Sequence, residues 1–204
     1  MTQATSSPGF FPPFPEFAPY PSQDSDLLSQ MGFLPGFKEI LSVRQVHALE
    51  HATVWVLSEL GTDSQGTSTE SLGGMSTPEG FYLYGEVEES KLQQGAQIAL
   101  SRLISGEWNL AVHPRCGTNL SVNLLLTGGL ALGINSLLPK GPLEQLLGVA
   151  TAATLANQIA PDLGLLAQQY VTTAVPFNLE IDEIIPAPAT WGRPTHFVKV
   201  HWRG

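Results

Sequence analysis

The sequence predicts an α+β fold: a small mixed domain carrying a hydrophobic two-helix hairpin that is either inserted in a membrane or deeply buried. Three observations predict this class. Apolar residues recur with helical spacing from about residue 37 onward. Residues 116–139 contain no charged side chain, a length that can cross a hydrocarbon core of about 30 Å. Near the carboxyl end, short apolar runs separated by prolines and glycine indicate strands.

Composition limits the partners that the chain can have. A length of 204 residues supports one folded unit with a tail. The net charge is −9 and no basic run is present, so the counterion release that drives nucleic-acid binding is missing, and we expect no nucleic-acid partner. The single cysteine, Cys116, forbids an internal disulfide and leaves a thiol for metal ligation or nucleophilic chemistry.

The first 36 residues contain seven prolines with phenylalanines between them. Proline breaks helices and removes backbone donors, so residues 1–36 are predicted to form a disordered arm. Its aromatic side chains are candidates to contact membrane-protein partners or the bilayer surface, and a solvated tail without partners is the alternative. The arm lacks the pattern of a signal peptide. Few cations flank the hydrophobic segments, with Lys140 in the turn and Arg115, Arg102 and Lys91 on the opposite side, and from this distribution we expect the amino-terminal part of the protein in the cytoplasm.

Residues 37–204 are predicted to form a single domain that contains a metal site. Apolar residues with helical spacing predict a helix from Phe37 to Leu60, and Gly61 ends it. The next predicted elements are a mobile loop over 61–80, a strand over 81–87, a helix over 92–103 and a short strand over 108–112.

A hydrophobic helical hairpin is predicted over residues 118–160. Its helices are Leu120–Leu138 and Leu143–Ala160, joined by a tight turn at Lys140-Gly141-Pro142. The asparagines in the first helix make it more polar than a typical membrane span, which keeps a pair of buried core helices as the alternative. Two strands, over 179–185 and 196–202, follow the hairpin.

The pentad His47-Ala48-Leu49-Glu50-His51 is the main candidate for chemistry. Residues four apart lie on one face of a helix, so His47 and His51 can both direct imidazole nitrogens at one metal ion. Glu50 lies beside them, in reach of an attacking water as a general base, which is the reversed form of the zincin arrangement. Together with the segment His113–Cys116, the pentad predicts a divalent metal site with zinc as the expected metal. The alternative is a pair of satisfied interior histidines and an inert buried cysteine.

A second segment, His113-Pro114-Arg115-Cys116, offers the remaining ligands. With His47, His51, His113 and Cys116 all bound, the site is closed and structural, whereas three protein ligands leave a position for water and permit hydrolysis. Arg115 is a candidate to stabilise a developing oxyanion, or alternatively to pair with Glu50 or a lipid headgroup.

These residues support three functions. The first is a membrane-associated, zinc-dependent hydrolase whose substrate the residues do not specify. The second is a non-catalytic membrane assembly or scaffold protein with a structural metal site. In the third, Cys116 is a nucleophile, with His51 as its base and Glu50 orienting that base.

The same residues carry a resemblance to a known family. His47–Thr53, His113–Thr118 and Gln169–Thr173 with Leu179–Ile181 resemble blocks of the YqhQ-like group of uncharacterised bacterial membrane proteins, in a cyanobacterial-type branch. The resemblance implies a membrane-embedded, metal-dependent enzyme whose site lies near the bilayer surface, and it supplies no substrate. The chain departs from the pattern in a shorter hydrophobic region and in Ala52, where a lysine is expected.

Overall fold

The computed structural model describes residues 21–61 and 72–203, and this part of the chain belongs to two compact units. We call residues 114–168 the hairpin unit, and residues 21–113 with 169–203 the sheet unit. The predicted α+β class is confirmed, because the described residues form helices together with a four-stranded antiparallel sheet.

The sheet unit is built around helix α2 (Phe37–Gly61). The helix begins after Gly36, whose φ of 82° suits a residue without Cβ, and proline is absent from its interior. Apolar residues occur all round α2, as expected for a helix that is covered on most sides. Helix α1 (Pro21–Met31) and helix α3 (Glu89–Ile104) both contact it.

Helix α1 falls within the predicted disordered arm. Residues 21–31 are helical instead, and proline at position 21 is compatible with this because the first turn of a helix needs no N–H from it. Asp24 is buried against Arg44 of α2 at 3.6 Å. The rest of the predicted arm, residues 1–20, lies outside the described residues.

The four strands lie in the order β1-β2-β4-β3. They are β1 (Gly73–Thr77), β2 (Gly80–Tyr84), β3 (Leu179–Thr190) and β4 (Arg193–Trp202). Phe81 and Leu83 of β2 and Val198 of β4 are fully buried, in one apolar core with Leu49 of α2 and Leu103 of α3. Burial of each such side chain contributes about 1.5–3 kcal/mol to folding.

Two further predictions are wrong. The predicted mobile loop over 61–80 contains strand β1, while residues 62–71 of that range lie outside the described part. The predicted strand over 108–112 is a 3-10 helix, Trp108–Ala111. Its alternation of large and small residues fits a short helical turn as well as a strand. The two carboxyl-terminal strands are confirmed and are longer than expected.

The hairpin unit consists of helix α4 (Gly117–Leu137) and helix α5 (Pro142–Ala167), which pack against each other. The seam on α5 is a stripe of small residues spaced four apart: Gly148, Ala152, Ala156, Ala160 and Gly164. These small side chains let the α4 asparagines enter the seam. Asn123 donates to Asn157 at 2.7 Å, and Gln168 donates to Asn119 at 2.8 Å. Asn119 and Asn123, two of the asparagines that made the span look polar, thus bond to side chains of their own unit.

The outward faces of the hairpin are apolar. No residue of α4 is buried, and Leu125 and Leu132 are 77% and 78% exposed, which contradicts the alternative of a deeply buried hairpin. Within the described residues, one helix, α4, has the length and apolar composition needed to cross a membrane. A polar seam with small residues inside and leucines outside is the arrangement expected of helices in lipid.

After α5 the chain forms a π-helical segment, Gln168–Thr172. A π-helical turn shifts the backbone carbonyls out of the α-helical hydrogen-bond pattern, and such turns occur frequently at functional sites.

The hairpin has small and polar residues inside and leucines outside, which we call its inverted polarity. This arrangement generates the first prediction. Ala156→Leu places a large side chain in the seam and should destabilise the helix pair by about 1–3 kcal/mol, because tightly packed positions do not accept added methylenes. Leu125→Ala, on the exposed face, should change stability by less than about 0.5 kcal/mol. Thermal unfolding in mild detergent, followed by circular dichroism, measures both. A larger loss for Leu125→Ala would show that the outer face of α4 is covered by protein.

Candidate functional site

Helix α2 brings His47 and His51 together, as the four-residue spacing predicts. Their ring centroids are 4.3 Å apart, and a ligand nitrogen of one lies within 4.8 Å of a ligand nitrogen of the other. His51 is buried and His47 is half-buried. Two nitrogens at this separation can bind one metal ion.

Backbone carbonyls orient both imidazoles. Nδ1 of His47 lies 3.0 Å from the carbonyl oxygen of Thr172, and Nδ1 of His51 lies 2.7 Å from that of Ala111. A carbonyl oxygen can only accept a hydrogen bond, so each Nδ1 must carry the proton and donate it. In the neutral imidazole, Nε2 then has the lone pair, which is the form that binds a metal.

The carbonyl of Thr172 is held in place by Arg44, one turn before His47 on α2. The Arg44 guanidinium donates to the carbonyl oxygens of Tyr170 at 3.3 Å and Thr173 at 2.9 Å. In the reverse direction, the Ala174 N–H donates to the Arg44 carbonyl at 3.0 Å. These bonds fix the end of the π-helical segment along α2, so the acceptor for His47 is part of an ordered structure.

His113 packs beside His51. Their ring centroids are 5.7 Å apart, and His113 also packs on Trp55 at 5.0 Å. Trp55 donates from Nε1 to the carbonyl of Val112 at 3.0 Å, which holds the 3-10 segment against α2. Two histidines on a tetrahedral zinc ion have ring centroids about 5 Å apart, so the spacing of His113 and His51 is compatible with a shared metal.

Glu50 occupies the opposite flank of the pentad. Its carboxylate is buried and accepts a hydrogen bond from Ser76 of β1 at 2.5 Å. A Cβ at Gly74 would lie 2.3 Å from Oε1 of Glu50, so the carboxylate reaches the strand only because residue 74 is glycine. Burial raises the pKa of Glu50 above its usual range, against the opposing effects of the Ser76 hydrogen bond and of nearby His47.

The other predicted site residues belong to the hairpin unit. Cys116 is buried and caps the amino end of α4, where its Sγ accepts from the Thr118 N–H at 3.3 Å. This end of a helix favours negative charge, including that of a thiolate. Arg115 is exposed in the turn before α4, and its role in stabilising an oxyanion stays a prediction.

Two histidines that sequence reasoning leaves out of the site, His196 and His201, lie in β4. His201 forms ion pairs with Glu180 at 3.0 Å and with Asp182, both on β3.

Sequence reasoning missed the residues that support the pentad. Ser76 and Gly74 were predicted to lie in a loop, and no sequence motif marks Arg44 as part of the site. The carbonyls of Ala111 and Thr172 are backbone groups, which carry no signature in the sequence. One signal pointed in the right direction, because Thr172 lies in the third block of the family resemblance.

Comparison with known proteins finds a family whose matched region spans the elements that form the site. Residues 42–184, from α2 into β3, match a domain of unknown function, DUF6391. The chain belongs to the DUF6391 family. It is also 53% identical over 191 residues to an uncharacterized protein of the cyanobacterium Picosynechococcus sp. (strain PCC 7002), covering 92% of this chain and 93% of that protein. No solved structure matches the chain.

The family match includes the pentad, β1, the 3-10 segment and the π-helical segment. The predicted cyanobacterial relationship is confirmed by the Picosynechococcus protein, whereas the closer relation to the YqhQ-like group stays a prediction.

The contact between Glu50 and β1 generates the second prediction. Gly74→Ala should destabilise the protein by about 1–3 kcal/mol, because the added Cβ displaces the Glu50 carboxylate from Ser76. Gly73→Ala is the matched control, since the nearest atom to its Cβ would be 3.9 Å away. Thermal denaturation of the full chain compares the two. Equal losses in both variants would mean that Glu50 does not depend on the bare backbone of residue 74.

Proposed function

We propose that this DUF6391 protein is a membrane-associated, zinc-dependent hydrolase. In this proposal His47 and His51 hold the metal through Nε2, Cys116 or His113 adds the third protein ligand, and Glu50 is the general base. The metal-dependent character implied by the YqhQ-like resemblance belongs to the same proposal.

One observation carries the proposal: the donation of both Nδ1 protons to backbone carbonyls. Histidines that bind metals are generally oriented in this way by a second hydrogen bond. A pair of ordinary core histidines does not need both rings to be held in the same tautomer. The carbonyl contacts, the ring spacing and the burial of His51 all fit a transition metal such as zinc.

Chain connectivity supports Cys116 as a ligand. Three residue steps separate it from His113, so their Cα atoms are at most about 10–11 Å apart. The soft thiolate is a preferred partner of zinc.

Glu50 has the chemistry of a general base. Its carboxylate, held by Ser76 and close to the imidazoles, can take a proton from an attacking water and return it to the leaving group. A bound zinc ion would supply Lewis-acid polarisation of the substrate carbonyl and of water. Arg115 is proposed to neutralise the negative charge that develops on the substrate oxygen.

The position of His113 favours one second candidate. A ring 5.7 Å from His51 allows four protein ligands, which would close the site and leave no position for water. The protein would then be a membrane assembly or scaffold factor with a structural metal, and its amino-terminal arm would recruit protein partners.

Membrane association rests on α4 and on the inverted polarity of the hairpin. His113 precedes Gly117, the first residue of α4, by four positions, and Thr172 follows Ala167, the last residue of α5, by five. If the hairpin enters and leaves the bilayer on one face, the site stays near that surface. We propose the cytoplasmic face for it, with membrane lipid as a contact.

Metal content tests the ligand set. Wild-type protein purified in mild detergent without chelators should contain about one zinc ion per chain, measured by inductively coupled plasma mass spectrometry. His47→Ala and His51→Ala should lose it, because each removes a ligand, and loss in Cys116→Ala or in His113→Ala identifies the third ligand. His201→Ala, an exposed histidine that is ion-paired on β4, should retain it. A well-folded wild type without metal would refute the proposal.

Glu50→Gln tests whether the metal site is catalytic. The variant keeps a side-chain oxygen for Ser76, so it should retain zinc and fold, while hydrolysis by the wild type of peptide, ester or phosphoester substrates should fall about 10²–10⁴-fold. Glu59→Gln, an exposed residue of the same helix that pairs with Arg102, is the control and should keep full activity. Unchanged hydrolysis in Glu50→Gln would exclude Glu50 as the base and favour the scaffold candidate.

A further inference from the structure

We infer that the edge of strand β1 binds a polypeptide in extended form, as an added antiparallel strand, and that peptide bonds are the substrate of the site. The inference rests on the hydrolase proposed above and names its substrate class. It is carried by three features of β1: its place in the sheet, the direction of its backbone groups and its contact with Glu50.

Strand β1 is the outermost strand of the described sheet and pairs there with β2 alone. The two strands are joined by the two-residue turn Pro78-Glu79, with Thr77 opposite Gly80. Hydrogen-bonded pairs alternate along an antiparallel ladder, so Gly73, Met75 and Thr77 direct their N–H and C=O groups toward β2. The N–H and C=O groups of Gly74 and Ser76 therefore face outward, where they match the backbone of another extended chain.

The two edges of the sheet differ in how they are protected. On the opposite edge, β3 contains Pro186 and Pro188, which lack N–H groups and prevent a regular ladder with another chain. Strand β1 has the sequence Gly-Gly-Met-Ser-Thr, with neither proline nor a charged residue. Gly74 is exposed. Proteins normally blunt an exposed edge, and among residues 21–61 and 72–203 only β2 pairs with β1, so this edge at the candidate site indicates use.

Glu50 joins this edge to the imidazoles. It contacts Gly74 and Ser76, the two residues whose backbone groups face outward. Successive residues of an α-helix are about 100° apart, so His47 lies about 60° and His51 about 100° round α2 from Glu50, in the same direction. Leu49, on the other side of Glu50, faces the core. The two imidazoles therefore lie on the same side of Glu50 as each other, within about 100° of it round α2.

A chain paired with β1 would run beside the Glu50 carboxylate. Its peptide carbonyl would be attacked by the oxygen of water while Glu50 takes one water proton. As the C–N bond breaks, that proton passes to the departing amide nitrogen. The products are a carboxylate and an amine, with water as the only co-reactant. A net charge of −9 disfavours nucleic acid as the alternative occupant of this edge.

Hydrogen exchange tests the edge directly. The full-length Glu50→Gln protein, zinc-loaded in mild detergent, is mixed with excess unfolded carboxymethylated casein, and exchange is followed by mass spectrometry. Amides in the fragment covering residues 72–77 should exchange about tenfold more slowly with casein, because the outward N–H groups become hydrogen-bonded. The fragment covering 179–190, on the proline-bearing edge, is the internal control and should not change. Wild-type protein is the second sample and should cut casein to fragments with new amino termini.

Zinc measured on the same samples separates this inference from the proposed function. Zinc-loaded protein with unchanged exchange over 72–77 in both samples overturns the edge inference and leaves the metal site standing. Protection over 72–77 in protein that binds no zinc supports a polypeptide-binding edge and refutes the hydrolase. Equal protection over 72–77 and 179–190 shows nonspecific adsorption and overturns the inference.

Discussion

The candidate site depends on the donation of two imidazole protons to backbone carbonyls. Without the bonds from His47 to Thr172 and from His51 to Ala111, the two rings could rotate and could adopt either tautomer. These bonds require that the 3-10 segment with Ala111 and the π-helical segment with Thr172 pack against α2 level with the two histidines. Arg44 secures one segment and Trp55 the other, both through further backbone carbonyls. Helix α2 thus carries the histidines and also the side chains that hold their acceptors.

Glu50, on the opposite flank of the pentad, is held in place by burial and one side-chain hydrogen bond rather than by backbone carbonyls. Glu50 is taken out of water, which raises its pKa, and is compensated by a single hydroxyl from Ser76. A glycine at position 74 permits this contact because it leaves the space of a side chain empty. A buried carboxyl group is costly to ionise, so its placement beside two imidazoles has to be supported by the surrounding strand. Strand β1 provides that support.

Much of this arrangement could be predicted from the sequence, and the rest could not for identifiable reasons. Helical periodicity predicted α2, and the four-residue spacing of His47 and His51 predicted that their rings lie close together. Strand β1 was missed because Gly-Gly-Met-Ser-Thr lacks the branched apolar residues that mark strands. The Ser76–Glu50 bond joins residues 26 apart in the chain, so only tertiary structure reveals it. Asn123 looked costly for an apolar helix because its partner, Asn157, lies on the other helix.

The π-helical segment has a consequence for how the family can vary in length. One residue added to or removed from 168–172 would rotate the following carbonyls by about 100° and would take the acceptor away from His47. Matched turns added to or removed from α4 and α5 at their connecting end, around residues 138–141, leave that register intact. Helices α4 and α5 can therefore differ in length between family members at their connecting end, while insertions and deletions in 168–172 should be strongly selected against.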